Sequence, residues 1–195
     1  MKIARIVSSN SHIDYIGRVI DEFDVDSPPK QTDVGFADFV SVKTETEQMI
    51  GIIYDSKLIN PEYANAGPRL SPAPSTQTFT PDFLSEQGVL IGILLLGILD
   101  ENGSISHGVP RQIIQPGNYV ERLSDENVRK FHTDSSGNMQ MHYYSQIVAN
   151  AGNLAVPLLE TIIAFLVKSC PAADRKRFEL LSQNLKWQRT IGGIR

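Results

Sequence analysis

The residues able to do chemistry are few, and their spacing assembles none of them into a catalytic set. A phosphate-binding loop needs Gly-Lys-Ser/Thr, with backbone amides to cradle the phosphates and a hydroxyl to hold magnesium. No lysine in the 195-residue chain follows a glycine, so that loop is absent. The run Leu94-Leu95-Leu96-Gly97-Ile98-Leu99-Asp100-Glu101 has the look of a Walker B strand, but without its partner loop it reads as a barrel strand ending in a polar turn. A Gly-x-Gly-x-x-Gly dinucleotide fingerprint and a Gly-x-Ser-x-Gly elbow are also missing. The chain is accordingly expected neither to bind nor to hydrolyse ATP, and no cofactor is expected.

Metal and nucleophile chemistry is equally thin. His12, His107, His132 and His142 have none of the short spacings that put two imidazoles on one metal, although His132 and His142 flank a polar loop and could meet. Asp24 and Asp26 begin something like a calcium loop, yet Pro28 and Pro29 stand where ligands and a glycine are needed. The acidic cluster of residues 21–26 reads as a solvated turn. Cys170, the single cysteine, follows an apolar helix, whose negative end disfavours a thiolate. Arg175, Lys176 and Arg177, with Lys186 and Arg189 beyond, form the densest basic patch. Helical spacing spreads these charges around the helix, which favours a solvated face over a phosphate-binding stripe.

Composition sets the frame. A net charge of −4 gives no global attraction for phosphate, so nucleic-acid binding would need a local patch. One cysteine favours a reducing compartment. The opening residues are too polar beyond Val7 for a signal segment, and the most apolar stretches, 88–99 and 154–167, fall short of the roughly 20 residues that span a bilayer. A cytoplasmic protein with no membrane partner is expected.

The elements that must position these residues change character near residue 123. Before it, segments 3–7, 15–20, 38–43, 49–54, 89–99 and 118–123 read as strands, rich in β-branched residues and separated by turn chemistry such as Asn102-Gly103. Gly92 and Gly97 argue against a buried helix in the long apolar run, since each would cost a helix ~1 kcal/mol. Gly17, Gly51 and Gly97 are expected where barrel strands bend or pack closely. The Pro-rich segment 60–87 interrupts the pattern as a long loop, either a binding element or a tolerated insertion. After residue 123 the period is helical: a short helix capped by Ser124, a loop at 133–140, then 144–153 and 157–169 as two helices or one helix broken at Pro157, and a last helix at 172–188. The expected fold is α+β, an approximately six-stranded barrel over residues 1–123 with the insertion at 60–87, followed by a helical extension over 124–195.

One helix stands out. Leu158, Leu159, Ile162, Ile163, Phe165, Leu166 and Val167 surround most of its circumference, which demands cover on several sides. With Leu180 and Trp187 on a second side of the last helix, Leu158, Ile162, Phe165, Leu166 and Trp187 become the candidate interface, to a second copy or another protein.

The order of the strand motifs carries a resemblance. Ile16-Gly17-Arg18-Val19, Ala37-Asp38-Phe39-Val40-Ser41-Val42 and Met49-Ile50-Gly51-Ile52-Ile53, then Leu96-Gly97-Ile98-Leu99, Pro110-Arg111 and Pro116-Gly117-Asn118-Tyr119-Val120, together resemble a HAS-barrel. That is the N-terminal domain of HerA-type DNA-translocating ATPases, similar to the N-terminal barrels of rotary ATP synthase subunits. The resemblance covers residues 15–131. It implies ring assembly and docking of a partner ATPase or a NurA-type nuclease; the P-loop domain that follows the barrel in that family is replaced here by helices. The first expectation is therefore a non-enzymatic assembly module that self-associates or docks on a P-loop ATPase or nuclease. The second is a DNA-repair accessory contacting nucleic acid through Arg175, Lys176, Arg177 and Arg189. An enzyme with a site under the 60–87 loop is the third, for which convergent catalytic groups are lacking.

Overall fold

The computed structural model describes residues 1–22, 24–59, 88–100, 104–170 and 172–192. Seven strands appear: β1 (Lys2–Ser9), β2 (Asp14–Val19), β3 (Phe39–Lys43), β4 (Glu47–Ile59), β5 (Gly88–Asp100), β6 (Ile105–His107) and β7 (Tyr119–Arg122). Six of them close into an antiparallel barrel in the order β1-β7-β3-β4-β5-β2, with β2 pairing back to β1. The short β6 is added along the C-terminal half of β5, beyond the reach of β2. Closure removes the exposed sheet edges that an open sheet would present.

Alternation explains why β4 and β5 read as unbroken apolar runs. Met49 and Ile53, like Ile91, Ile93 and Leu95, point into the barrel. Ile50 and Ile52, with Leu94 and Leu96, point outward into a second core made with the helices. A strand buried on both faces loses the polar half of its period-two pattern.

Turn chemistry sits where the sequence places it. Gly117 adopts φ 87° after Pro116, its N–H donates to the Ile6 carbonyl at 2.7 Å, and the chain then enters β7. The acidic cluster is not simply solvated: Arg18 on β2 holds Asp21 at 2.6 Å and Asp24 at 3.1 Å.

Four helices follow: α1 (Asp125–Phe131), α2 (Tyr144–Asn150), α3 (Ala155–Ser169) and α4 (Ala172–Gly192). Ser124 caps α1, its hydroxyl accepting from the Asn127 N–H at 3.3 Å. The break between α2 and α3 lies at Gly152 (φ 53°), where a single 3-10 turn intervenes, and not at Pro157. Pro157 occupies the first turn of α3, where a helix has no N–H to lose. Segment 60–87 lies outside the described residues, as do Asn102-Gly103 and Pro171.

The cover for α3 comes from this chain itself. Leu158, Ile162 and Leu166 are fully buried, in one apolar cluster with the outer barrel wall, Ile147 of α2, and Phe178 and Leu185 of α4. The expectation that these three form an external interface is corrected accordingly. The outer wall of β4 and β5 is apolar, so the barrel and the flanking helices together cover α3 on all but the exposed face of Thr161, Ala164 and Lys168.

Candidate docking surface

Helix α4 has two faces. Phe178 and Leu185, two turns apart, are buried at 2% and 1% exposure, while Leu180 and Trp187, also two turns apart, stand at 62% and 68%. Seven residues of helix return a side chain to nearly the same face, so each pair forms a stripe. The helix is pinned near its start, where Asp174 accepts from the Met139 N–H at 2.9 Å.

Beside the exposed stripe runs a groove of about 530 Å³ between α4 and the turn entering α2. Met141, Tyr144, Phe178 and Leu181 give it apolar walls, with Leu180 and Asn184 at its lip and Lys176 and Arg177 at one end. The Arg177 guanidinium sits 6.0 Å from the Phe178 ring centroid. Val148, one turn on from Tyr144 along α2, is half exposed and extends the apolar surface.

The predicted site residues separate here. Arg175, Lys176 and Arg177 are all exposed, but only Lys176 and Arg177 line the groove. Arg189 lies on α4, with its side chain outside the described residues. Phe165 is partly buried against the helical core. Of the candidate interface, Trp187 alone faces water, together with Leu180. Met141, Tyr144 and Asn184 were not foreseen, because the first two reach the groove from a segment some 35 residues away.

A polar junction ties β6 to the helices. His132, fully buried, donates through Nδ1–H to the Val128 carbonyl at 2.6 Å and accepts at Nε2 from the Tyr143 hydroxyl at 2.5 Å. His107 of β6 donates through Nε2–H to the Phe131 carbonyl at 2.8 Å and accepts at Nδ1 from the His142 N–H at 3.2 Å. His107 needs a bare Nδ1 to accept that N–H, so its ring is neutral, and full burial keeps the His132 ring neutral as well. Burial in turn pushes His132 down to about 4 and lowers His107. The two rings lie 6.1 Å apart, while His142 contributes its backbone N–H to this junction. Tyr143→Phe would leave the His132 Nε2 buried without a donor, and a loss of ~1–3 kcal/mol is expected in urea unfolding.

A second cavity, about 390 Å³, opens at one end of the barrel, with Val19, Phe36, Val89 and Leu154 in its apolar lining and Lys30 and Asp55 among its polar groups. Among the described residues no three His, Cys, Asp or Glu side chains are placed to hold a metal ion, and no helix is long and apolar enough to cross a membrane.

Fold and surface define an α+β class: a closed antiparallel barrel whose outer wall carries a helical layer. The whole chain, residues 1–195, matches the family described as Domain of unknown function (DUF8166), and it belongs to that family. No curated protein matches it.

Proposed function

We propose that this protein is a non-enzymatic assembly module, using its barrel as the HAS-barrel resemblance implies and docking on a P-loop ATPase, a nuclease or its own copy. The observation that carries this reading is the exposed Leu180–Trp187 stripe beside an apolar groove, on a helix whose opposite face is locked into the core. Two large apolar side chains left in water forgo ~1.5–3 kcal/mol each, which a partner would recover. The sequence motifs that bind and split a nucleoside triphosphate are missing, so any turnover belongs to the partner.

Cross-linking in native cells followed by peptide identification tests the reading, together with light scattering on the purified protein. A cross-link from α4 to an ATPase, a nuclease or a second copy is expected. Leu180→Lys with Trp187→Lys should abolish it while unfolding stays within ~0.5 kcal/mol, as for other surface substitutions. A strict monomer with no such cross-link, or magnesium-dependent ATP turnover by the pure chain, would sink the proposal.

The exposed Arg175, Lys176 and Arg177 favour one other reading, a DNA-repair accessory touching nucleic acid directly. Its mark would be oligonucleotide binding that weakens steeply with salt.

A further inference from the structure

The groove on α4 has a chemistry of its own. Its walls are apolar: Met141 and Phe178 are buried, and Leu181 and Tyr144 partly so. Its one charged end is cationic, from Lys176 and Arg177, and both side chains are exposed. Among the described residues neither makes an ion pair.

The charge is local and runs against the chain. Helix α4 carries Arg175, Lys176, Arg177, Lys186 and Arg189 against Asp174 and Glu179, in a protein whose net charge is −4. Asp174 is already bonded to the Met139 N–H. A second copy offering its own α4 would bring cations against cations, and like charges facing across an interface disfavour that pairing. A nucleic acid would meet only the cationic end, with apolar walls where its phosphates need donors.

We propose that this groove takes an acidic amphipathic segment of a partner protein, its large apolar side chains seated against Met141, Tyr144, Phe178 and Leu181 and its carboxylates against Lys176 and Arg177. The assignment rests on the docking function proposed above and names the chemistry of the partner at that site. The recognition is helix-in-groove in kind: apolar anchors supply the burial and the charges set orientation and partner choice. From Lys176 to Trp187 the surface runs 11 residues of helix, or ~16 Å, which suits a segment of about three turns. Trp187 stands at the far end from the cations, where it would close over the last anchor.

Selection of random 16-residue peptides displayed against the full chain tests the proposal. The probes are then the selected peptides, made synthetically and labelled, with a labelled 16-nucleotide DNA as a comparison. The enriched peptides should carry net negative charge and at least two large apolar residues. Their binding should shift the fluorescence of Trp187, the single tryptophan, and strengthen as salt is lowered. Lys176→Glu with Arg177→Glu should weaken binding at least tenfold. Both residues are exposed, and Lys176→Ala with Arg177→Ala serves as the milder pair should the reversal melt early.

Neutral or basic peptides, no enrichment at all, affinity indifferent to the charge reversal, or DNA binding in their place would each overturn it. So would self-association that buries Trp187 and excludes the peptides. Should the reversal leave a cross-linked ATPase or nuclease joined to the chain, the docking function stands and the groove assignment alone falls. A chain with no cross-linked partner loses both.

Discussion

Gly97→Val is expected to unfold the protein or lower its melting temperature by ~10 °C or more. A Cβ added at Gly97 would overlap the Ser106 carbonyl oxygen and stand 3.0 Å from the His107 Cα. Gly97 pairs with Ile50 of β4 on one side and His107 of β6 on the other. Overpacking costs ~1–3 kcal/mol when neighbouring side chains can yield. Here the obstacle is backbone, and moving it breaks the β5–β6 ladder and pulls His107 from the Phe131 carbonyl. Each kcal/mol lost shifts the melting point by roughly 2–4 °C at this chain length, so a loss above 3 kcal/mol is readily seen. Gly17→Ala is the comparison, because its nearest neighbours at 3.3–3.4 Å are side-chain atoms of Ile93, Ala4 and Ile91, of which the two isoleucines can turn aside, and its loss should be far smaller. A Gly97→Val protein melting like the parent would refute the close β5–β6 approach.

Acid should destabilise the fold well before the carboxylates titrate. The folded state holds His132 neutral down to about 4, whereas the unfolded chain takes up that proton near the ordinary histidine value of 6.5. Between those values the unfolded state binds more protons. Stability is therefore full above pH 6.5 and falls as the pH drops towards 4, by about 3 kcal/mol in all. His107, also depressed by burial, acts in the same sense. Asp38, whose carboxyl burial pushes up, acts in the opposite sense, so the comparison with a His132 variant over the window from 6.5 to 5 is what isolates the histidine. Urea midpoints across that window should drop for the native chain and drop much less for His132→Gln. Parallel slopes for the two proteins would mean that His132 is not the titrating group.

The barrel was largely legible because each wall strand left a compact β-branched run. β6 escaped because Ile105-Ser106-His107 is too short to carry a period. The helical layer was legible from Ser124 onward, apart from the break, which Gly152 makes by adopting φ 53° while Pro157 merely begins a helix. The cover for α3 is legible too, in the unbroken runs of β4 and β5, where Ile50, Ile52, Leu94 and Leu96 make an apolar outer wall that an external partner is not needed to supply. On the candidate surface, Leu180 and Trp187 were readable from helical spacing alone. The groove was not, since Met141 and Tyr144 meet Phe178 and Leu181 only through tertiary packing. Nor was the partnership of His107 with His132, whose 25-residue separation holds no local signal.

The two-faced wall of β4 and β5 makes the barrel and its helical layer a single cooperative unit. A truncated chain ending at Leu123 would keep every barrel strand yet expose Ile50, Ile52, Leu94 and Leu96 to water, a patch of the kind that drives aggregation. The two cores share their dividing partition, so slow amide exchange in β5 should track the integrity of the helices as closely as that of the barrel. A lineage could exchange what sits on α4 freely, but it could not lend the barrel to another protein without giving the helices with it.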